Sequence, residues 1–468
     1  MRHHLFRVIL LMCAAAMPAL AQISMPGVEN SVGYLASGTS VQPATTSEST
    51  PMVHGTFGNW TVMFHGNAVV AGIQQGGPRG GDKVFSTNWM MPMAQRQFGR
   101  HGLTVRSMIS LEPATITKRR YPLLFQTGES AFGLAIIDGQ HPHDMFMELA
   151  ARYDFKVSDR AQVFVYGGPI GEAALGPTAF PHRASASENP VAVIGHHTQD
   201  STHISATVIT TGFAVGPLQL EGSGFHGKEP DENRWNIDTG KPDSFAARLT
   251  VAPTRNLVGQ VSTGRIHNPE PSDPQLDTVR TTASLHHDLP LAQGNIASSL
   301  IWGRNKDIKN GSRRVFNSYN LESTVKFRAR NWAWTRIENV DRDRTLLPAA
   351  PAVSTCRLCG IFGFGIAVPE APEKTGTFPH VVLGTDGQRV TVEEEPIGRV
   401  QAYTFGYERE IPLAVSWLNA GLGGQLSVYG LPDKLKPVYG NRPVGAVFFL
   451  RLRPAGNMGG HMKMMHGR

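Results

Sequence analysis

The sequence predicts an all-β protein, a transmembrane antiparallel β-barrel of about 16 strands. Three observations support this fold class. Runs of roughly ten residues alternate between apolar and polar side chains, which is the period of a strand with two different faces. Short turns alternate with long loops along the chain, and after the leader no apolar run approaches the roughly 18 residues that a membrane-spanning helix needs.

Residues 1–21 form a predicted signal peptide. Arg2 and Arg7 flank the start of an apolar run, and Ala19 and Ala21 fit the small-residue rule for cleavage after residue 21. The chain is therefore expected to be exported. Loss of the leader lowers the formal charge from +7 to +5, which is too small to favour nucleic acid as a partner.

The rest of the chain predicts one large architecture, because no linker or charge block divides it. We expect residues 22–58 to form a flexible N-terminal periplasmic segment, residues 59–453 to form the barrel, and residues 454–468 to form a Met/His-rich tail. Outer-membrane lipid and the outer-membrane assembly machinery are the partners that such a barrel implies.

The stretch "HPHDMFMELAARYDF", residues 141–155, shows the strand pattern. Met147, Leu149 and Tyr153 fall on an apolar face, and Glu148 and Arg152 on a polar one. A soluble β-sandwich could alternate in the same way. However, a sandwich has no reason to keep its short turns at one end, and several Trp and Tyr residues near strand ends resemble a membrane-interface girdle. These are Trp89, Tyr153, Trp302, Trp332, Trp334, Tyr403, Tyr407, Trp417 and Tyr429.

Turns and loops give the predicted topology. Short turns are expected at 158–160, 215–218, 252–256, 289–294, 329–331 and 410–413. Longer loops are expected at 74–84, 113–143, 169–200, 227–243, 266–276, 305–314, 342–398 and 431–441. An even strand count places both termini on the short-turn side, which in outer-membrane barrels is the periplasm, and the long loops on the extracellular side.

The polar strand faces predict the lining of the barrel lumen. Arginine outnumbers the acids there, which would favour anionic solutes. The predicted lumen residues are Glu148, Arg152, Lys156, Glu322, Lys326, Arg328, Arg451 and Arg453.

Histidine and aspartate side chains concentrate where two predicted loops enter strands. His141, His143 and Asp144 begin one downward strand, and "GHHTQDSTH" precedes the next but one. Both groups are therefore expected at the same extracellular rim. They could bind a divalent transition metal, or they could anchor loops to the barrel wall by hydrogen bonds. The candidate metal ligands from the second group are His196, His197, Asp200 and His203.

Two further segments carry possible chemistry. The tail combines thioether and imidazole groups, which suit copper, and Cu(I) above all; its candidate ligands are Met458, His461, Met462, Met464, Met465 and His466. Cys356 and Cys359 are expected to form a disulfide in an oxidising compartment.

Asp200, Ser201 and His203 have the residue types of a hydrolase, but on a strand the side chain of residue 200 would point away from those of residues 201 and 203.

Several blocks of the sequence, including "DGQHPHDMFMELA", "GHHTQDSTHIS" and "RNWAWTRIENV", carry a resemblance. Between about residues 55 and 345 the chain resembles a family of bacterial predicted outer-membrane β-barrel proteins, some with Met/His-rich termini. The resemblance implies the barrel fold and supplies no activity.

Three hypotheses for function follow. The first is a porin-like barrel for passive passage of small solutes, linked to copper or another transition metal. The second is a barrel that binds metal or has a structural role and conducts nothing. The third is a barrel hydrolase, which the strand geometry disfavours, so we expect no enzyme activity.

Overall fold

The computed structural model describes residues 37–48, 51–270, 275–343, 346–347, 380–383, 389–392, 397–415 and 417–455. The predicted signal peptide, the Cys356–Cys359 disulfide and the tail ligands from Met458 to His466 lie outside the described residues. Within the described part of the chain, no helix is long and apolar enough to cross a membrane.

The described chain is built mainly of strands. They are β1 Val53–Phe57, β2 Trp60–Gln75, β3 Gly81–Phe98, β4 His101–Ile109, β5 Tyr121–Ala131, β6 Leu134–Gln140, β7 Phe146–Ser158, β8 Ala161–Gly171, β9 Ser205–Val215, β10 Leu218–His226, β11 Ser244–Thr254, β12 Leu257–His267, β13 Asp277–Leu291, β14 Gly294–Lys309, β15 Ser312–Phe327, β16 Asn331–Arg342, β17 His380–Leu383, β18 Arg389–Val392, β19 Gly398–Pro412, β20 Leu418–Gly430 and β21 Val444–Pro454. Short helical turns span Ala44–Glu48, Glu112–Thr115, Thr117–Arg119, His196–Gln199, Ser201–His203, Asp433–Leu435 and Lys436–Tyr439.

Sixteen of these strands close into a barrel, which confirms the predicted fold class. β2–β4, β7–β16 and β19–β21 pair in antiparallel order, and β21 pairs back with β2 through residues such as Leu450 opposite Val70. β1 forms a hairpin with the start of β2, and β5–β6 and β17–β18 form separate two-stranded sheets. Closure leaves no unpaired sheet edge in the ring, as a membrane barrel requires.

Burial along the strands is the reverse of that in a soluble protein. On β7, Leu149 and Tyr153 are 37% and 41% exposed, whereas Arg152 and Asp154 are only 2% and 0% exposed. The same alternation on β21 exposes Leu450 and buries Arg451. The apolar face therefore points outward, toward lipid, and the charged face points into the lumen, as in outer-membrane barrels.

The turns and loops alternate as predicted, with one correction. Connections of a few residues join β3–β4, β7–β8, β9–β10, β11–β12, β13–β14, β15–β16 and β19–β20 at one end, here called the short-turn end. The expected long loop at 305–314 is wrong, because β14 and β15 continue through it to a two-residue turn at Asn310 and Gly311. Both residues have positive φ, the conformation of a tight hairpin turn.

Part of the N-terminal segment lies inside the barrel, which corrects the expectation that residues 22–58 are flexible and periplasmic. Residues 37–46 are almost entirely buried. Arg248 donates a hydrogen bond to the Thr39 hydroxyl at 3.0 Å, and Gln219 donates to the Thr39 carbonyl at 3.1 Å. Several wall strands therefore hold this segment, and strand pairing begins at Val53 rather than at residue 59.

Candidate functional site

The lumen is crossed by the connection between β8 and β9, residues 172–204, here called the plug loop. Nearly all of its residues are buried. Glu188 pairs with Arg451 at 3.0 Å and with Arg453 at 2.7 Å on β21. On β16, the Glu338 carboxylate accepts a hydrogen bond from the backbone N–H of Ile194 at 2.6 Å.

The centre of the plug loop is fixed by a buried ion triad. Arg183 lies 3.0 Å from Asp200, within the same loop, and 2.5 Å from Glu322 on β15. All three side chains are at most 1% exposed. Such a triad is costly to break, because a charge left alone in the interior has no water to replace its partner.

These contacts test the predicted lumen lining. Glu148, Arg152, Glu322, Arg451 and Arg453 are buried in the interior as predicted, and Lys156 and Lys326 are partly exposed on the same faces. Arg328 was predicted wrongly, since it lies exposed in the turn that follows β15. The expected cationic wall is also corrected, because most of these arginines are neutralised by carboxylates from the wall or the plug.

Several aromatic residues also differ from the prediction of an outer girdle. Trp89, Trp332, Trp334 and Tyr429 are at most 8% exposed and face the interior. Tyr153, Tyr403, Tyr407 and Trp417 lie on the outer surface as expected. Trp332 instead stacks under the Arg453 guanidinium, 4.6 Å from the ring centre.

Five histidines from the two predicted loop segments meet in a closed ring, here called the histidine ring. The order around the ring is His141, His143, His203, His196, His197 and back to His141. In that order, the distances between the centres of neighbouring imidazoles are 6.3, 5.7, 5.1, 5.2 and 5.9 Å. The sequence therefore predicted correctly which imidazoles converge.

Each imidazole is oriented through its Nδ1 atom. His143 Nδ1 lies 3.0 Å from Glu112, His196 Nδ1 lies 2.7 Å from Asp200, and His197 Nδ1 lies 3.3 Å from Glu229. The two others bond to backbone carbonyls, His141 to that of Pro142 at 2.9 Å and His203 to that of Asp200 at 2.8 Å. This arrangement directs the Nε2 side of the rings away from these partners.

The Nε2 atoms are the unusual feature of the ring. Those of His143, His197 and His203 are buried and have no hydrogen-bond partner within the described part of the chain. His141 Nε2 faces Glu129 at 2.9 Å. An imidazole held through Nδ1 by a carboxylate or carbonyl, with Nε2 free, is the usual state of a histidine that binds a transition metal.

The ring as it stands does not form a metal site. In the described residues, no three His, Cys, Asp or Glu side chains lie close enough together to hold one ion. Two imidazole nitrogens bound to the same zinc ion lie roughly 3.3 Å apart, given Zn–N bonds of about 2.0 Å. Binding would therefore require rotation of the side chains toward one another.

Two glycines lie in close contact with the histidine ring and limit the space around it. Gly128, with φ +122°, faces the His197 ring so closely that an added Cβ would lie 2.6 Å from it. Gly303 on β14 lies against the turn His196–Gln199, where a Cβ would approach the Thr198 carbonyl to 2.3 Å. Gly303 thus allows the histidine ring to pack against the barrel wall, and Gly128 allows it to pack against the β5–β6 hairpin.

Burial sets the protonation of the ring. It lowers the pKa of His196 and His197 to about 4 and that of His203 to about 3, so these imidazoles are neutral at pH 7. Burial also opposes charge on His143, but the Glu112 carboxylate outweighs it and raises the pKa of His143. The ring thus presents mainly neutral nitrogen donors.

The surrounding carboxyl groups divide into two kinds. Burial raises the pKa of Asp144 to about 7 and that of Glu229 to about 8. Burial acts in the same direction on Asp200, but contact with His196 and Arg183 outweighs it and lowers its pKa below the ordinary range. Asp144 contacts Arg234, 3.1 Å away, rather than a ring nitrogen, so it anchors the loop at 227–243.

We expect acid to release the plug loop below about pH 4. On release the imidazoles of lowered pKa take up protons, whereas the carboxyl groups of Asp144 and Glu229, whose pKa values are raised, lose them. The two effects on the stability of the seated loop therefore offset each other between roughly pH 5 and 7. The contacts with His196 and Arg183 lower the pKa of Asp200 in the folded loop, so the stability that Asp200 contributes is lost as the pH falls below about 4.

Single-channel conductance recorded from pH 7 down to pH 3 measures this release. A step to higher conductance near pH 4 is expected, and a chain that lacks the plug loop should show no step. Conductance independent of pH in both chains would contradict the prediction.

The hydrolase hypothesis is not supported by the contacts of its residues. His203 Nδ1 contacts the backbone carbonyl of Asp200, and the Asp200 carboxylate is engaged by His196 and Arg183. Ser201 Oγ accepts a hydrogen bond from Arg280 at 2.8 Å. The three groups therefore do not form a nucleophile, base and orienting acid in sequence.

An open pocket lies outside the ring. It has a volume of about 480 Å³ and is lined by Pro142, Arg119, Glu232, Arg234 and Trp235, among others. Pro142 separates two ring histidines along the chain. The pocket therefore adjoins the ring on the side of the long loops.

Fold and site together define a sixteen-stranded antiparallel β-barrel of the outer-membrane type, with a folded loop in its lumen. No family model and no curated protein matches the chain. Among solved structures, the anion-selective porin from Comamonas acidovorans matches with 11% identity and a TM-score of 0.46, over 84% of this chain and 99% of the porin. OmpF of Salmonella typhi matches with 8% identity and a TM-score of 0.46, over 86% and 100%.

OmpT, an outer membrane protein of Vibrio cholerae, also matches, with 7% identity and a TM-score of 0.43, over 85% of this chain and 98% of that one. At these identities the likeness concerns the fold alone. The histidine ring and the plug contacts are features of this chain and are interpreted from its own geometry.

Proposed function

We propose that the protein passes small solutes across the outer membrane and that transition-metal ions are among them, with the histidine ring as the site that selects the metal. The long-loop end would face outward and both termini the periplasm, as in other outer-membrane barrels. One observation carries this proposal: within the described part of the chain, three Nε2 atoms of Nδ1-anchored histidines, those of His143, His197 and His203, are buried without a partner.

The simpler alternative is that the histidine ring only anchors loops. Loop anchoring explains the Nδ1 contacts, since those of His143 and His197 tie separate loops together and the other three fix the local turns. It does not explain the Nε2 atoms, because a buried polar atom without a partner costs about 1–3 kcal/mol. A ligand that is bound part of the time would offset this cost, and imidazole nitrogen is a common ligand of zinc and copper.

The second candidate is a barrel that binds metal and conducts nothing. The plug loop favours it, since its contacts reach wall strands on several sides of the lumen, including β10 through Ser223, β12 through Ser262 and β21 through Arg451. Uptake of metal into sealed vesicles that contain the protein separates the two candidates. Binding with uptake supports a channel, and binding without uptake supports sequestration.

The tail would add further soft ligands to either function. Its methionines and histidines follow β21, which ends at the short-turn end of the barrel at Pro454. Copper is the ion that this composition suits best. A periplasmic segment of this composition would collect or deliver ions at the inner mouth.

Removal of two ring histidines is expected to abolish metal binding at the ring. We would titrate Zn(II) into the full-length chain carrying His461→Ala and His466→Ala, with and without His196→Ala and His203→Ala. Affinity should fall at least about tenfold, since loss of even an outer-shell partner costs that much. The matched control is His54→Ala on β1, an exposed histidine outside the ring. Equal affinity in all variants would overturn the metal site.

A further inference from the structure

Six buried methionines line one side of the lumen. Met63 on β2, Met91 and Met93 on β3, Met108 on β4 and Met147 on β7 are each 1–6% exposed, as is Met52 before β1. A barrel lumen is ordinarily polar. Thioether side chains concentrated on four wall strands therefore require an explanation.

Two histidines lie within this group. His182 of the plug loop has its Nε2 atom 3.2 Å from the Met108 sulfur. The His65 ring lies 6.0 Å from the His182 ring, and strand register places His65 directly opposite Met91. Trp89 contacts both imidazoles, with ring centres at 4.7 and 4.6 Å. We call the six methionines with His65 and His182 the methionine column.

The column extends along the barrel axis. Met108 lies next to the last residue of β4, at the long-loop end, whereas Met63 lies three residues from the start of β2, at the short-turn end. Met63 pairs in register with Met93. Ligands of one chemical type thus follow each other from one end of the lumen toward the other.

The column adjoins the histidine ring. Ile204, the residue after His203, packs against the methionines. Phe180 contacts the rings of His143, His196 and His203 and precedes His182 by two residues. A metal ion that leaves the ring on this side therefore meets His182 and Met108 first.

We infer that the methionine column is a second binding site, for a soft monovalent cation such as Cu(I) or Ag(I), and that it continues the path from the histidine ring to the short-turn end. This inference rests on the proposed function and names its ion. Thioether sulfur selects Cu(I) over Zn(II), Mg(II) and Ca(II), and imidazole is compatible with it.

Simple packing is the competing explanation. Methionine fills irregular gaps well, and the plug loop presents an irregular surface. Packing alone, however, gives no reason for an imidazole nitrogen to lie against a sulfur. A substitution that keeps volume but removes sulfur therefore separates the two explanations.

The test uses the full-length chain with its tail methionines 458, 462, 464 and 465 changed to leucine. On this background we compare Met91→Leu, Met93→Leu and Met108→Leu, made together, with Met90→Leu. Met90 neighbours Met91 but is exposed on the outer face. Leucine for methionine costs less than about 1.5 kcal/mol at a site of this kind, so the barrel should remain folded.

Cu(I) affinity is measured by competition with a chromophoric chelator, and sulfur ligation by X-ray absorption at the copper edge. The triple variant, which removes three of the six methionines, is expected to lose much of the sulfur signal and at least about tenfold in Cu(I) affinity, while Met90→Leu loses neither. Unchanged affinity and sulfur ligation in the triple variant would overturn the inference.

Zn(II) binding by the same variants keeps the two proposals distinct. The triple variant should bind Zn(II) as the background does, because the histidine ring is intact. Failure of the ring with a surviving Cu(I)–sulfur signal would reject the proposed selectivity site and retain the column. Loss of Zn(II) binding in the triple variant would mean that its substitutions disturb the ring, and it would also count against a separate column.

Discussion

Replacing residues 174–203 with a short Gly/Ser linker is expected to open the barrel and raise its single-channel conductance on the order of tenfold or more, since barrels of 16 strands otherwise enclose an aqueous channel. The design is feasible because Gly171 and Ser205, which flank the loop, are paired neighbours on β8 and β9. The ends that the linker must join therefore lie side by side.

The matched control removes residues 236–241 from the loop at 227–243, which also joins neighbouring strands at the long-loop end, and keeps Glu229 and Arg234 in place. Most of its residues are at least partly exposed, so we expect a much smaller change in conductance. Conductance in planar bilayers measures both. If shortening either loop changes conductance equally, or neither does, the plug loop is not the barrier.

The sequence predicted the barrel because alternation is a property of each strand by itself. A lipid-facing side chain and a lumen-facing one must differ in polarity wherever the strand crosses the membrane. The hairpin at Asn310 and Gly311 was missed because its flanking strands carry Lys306, Lys309 and Arg313, which read as a polar loop. The Asn-Gly pair itself is a strong turn signal and could have revealed it.

The histidine ring could be predicted in part, since two loops that enter strands at the same end must approach one another. Its closed order and its Nδ1 contacts could not be predicted, because Glu112 and Glu229 come from other connections.

The position of the N-terminal segment was predicted wrongly for a similar reason. Its Ser and Thr residues suggest solvent, but wall side chains such as Arg106 and Arg248 hydrogen-bond to it inside the lumen.

The methionine column was missed because the strand face of Met147 was assigned wrongly. The stretch at 141–155 predicts Met147 on the apolar, outward face with Leu149, yet Met147 is 1% exposed and packs inside. The pairing of β7 with β4 shifts register beside Met108, and that with β8 shifts after Leu149. Such an irregularity changes which face a residue occupies, and alternation alone does not reveal it.

Replacing Arg183 with methionine is expected to destabilise the seated plug loop by about 3–5 kcal/mol, because Asp200 and Glu322 would each keep a buried charge without its cation. The sixteen-stranded wall does not depend on this triad, so the loss should appear as local opening of the loop rather than as unfolding of the barrel. Hydrogen exchange of the amides in residues 178–200 measures it.

The control for Arg183→Met is Arg265→Met, which removes the partner of Asp277 at the surface, where Arg265 is 53% exposed. An exposed pair is worth at most about 1 kcal/mol, so exchange in the plug loop should not change. A second variant, Arg183→Met with Glu322→Gln, removes one of the two stranded charges and should recover part of the protection. Protection unchanged by Arg183→Met would show that the wall contacts of Glu188 and Glu338 hold the loop without the triad. Faster hydrogen exchange together with higher conductance would show that the triad holds the plug loop in the position that closes the channel.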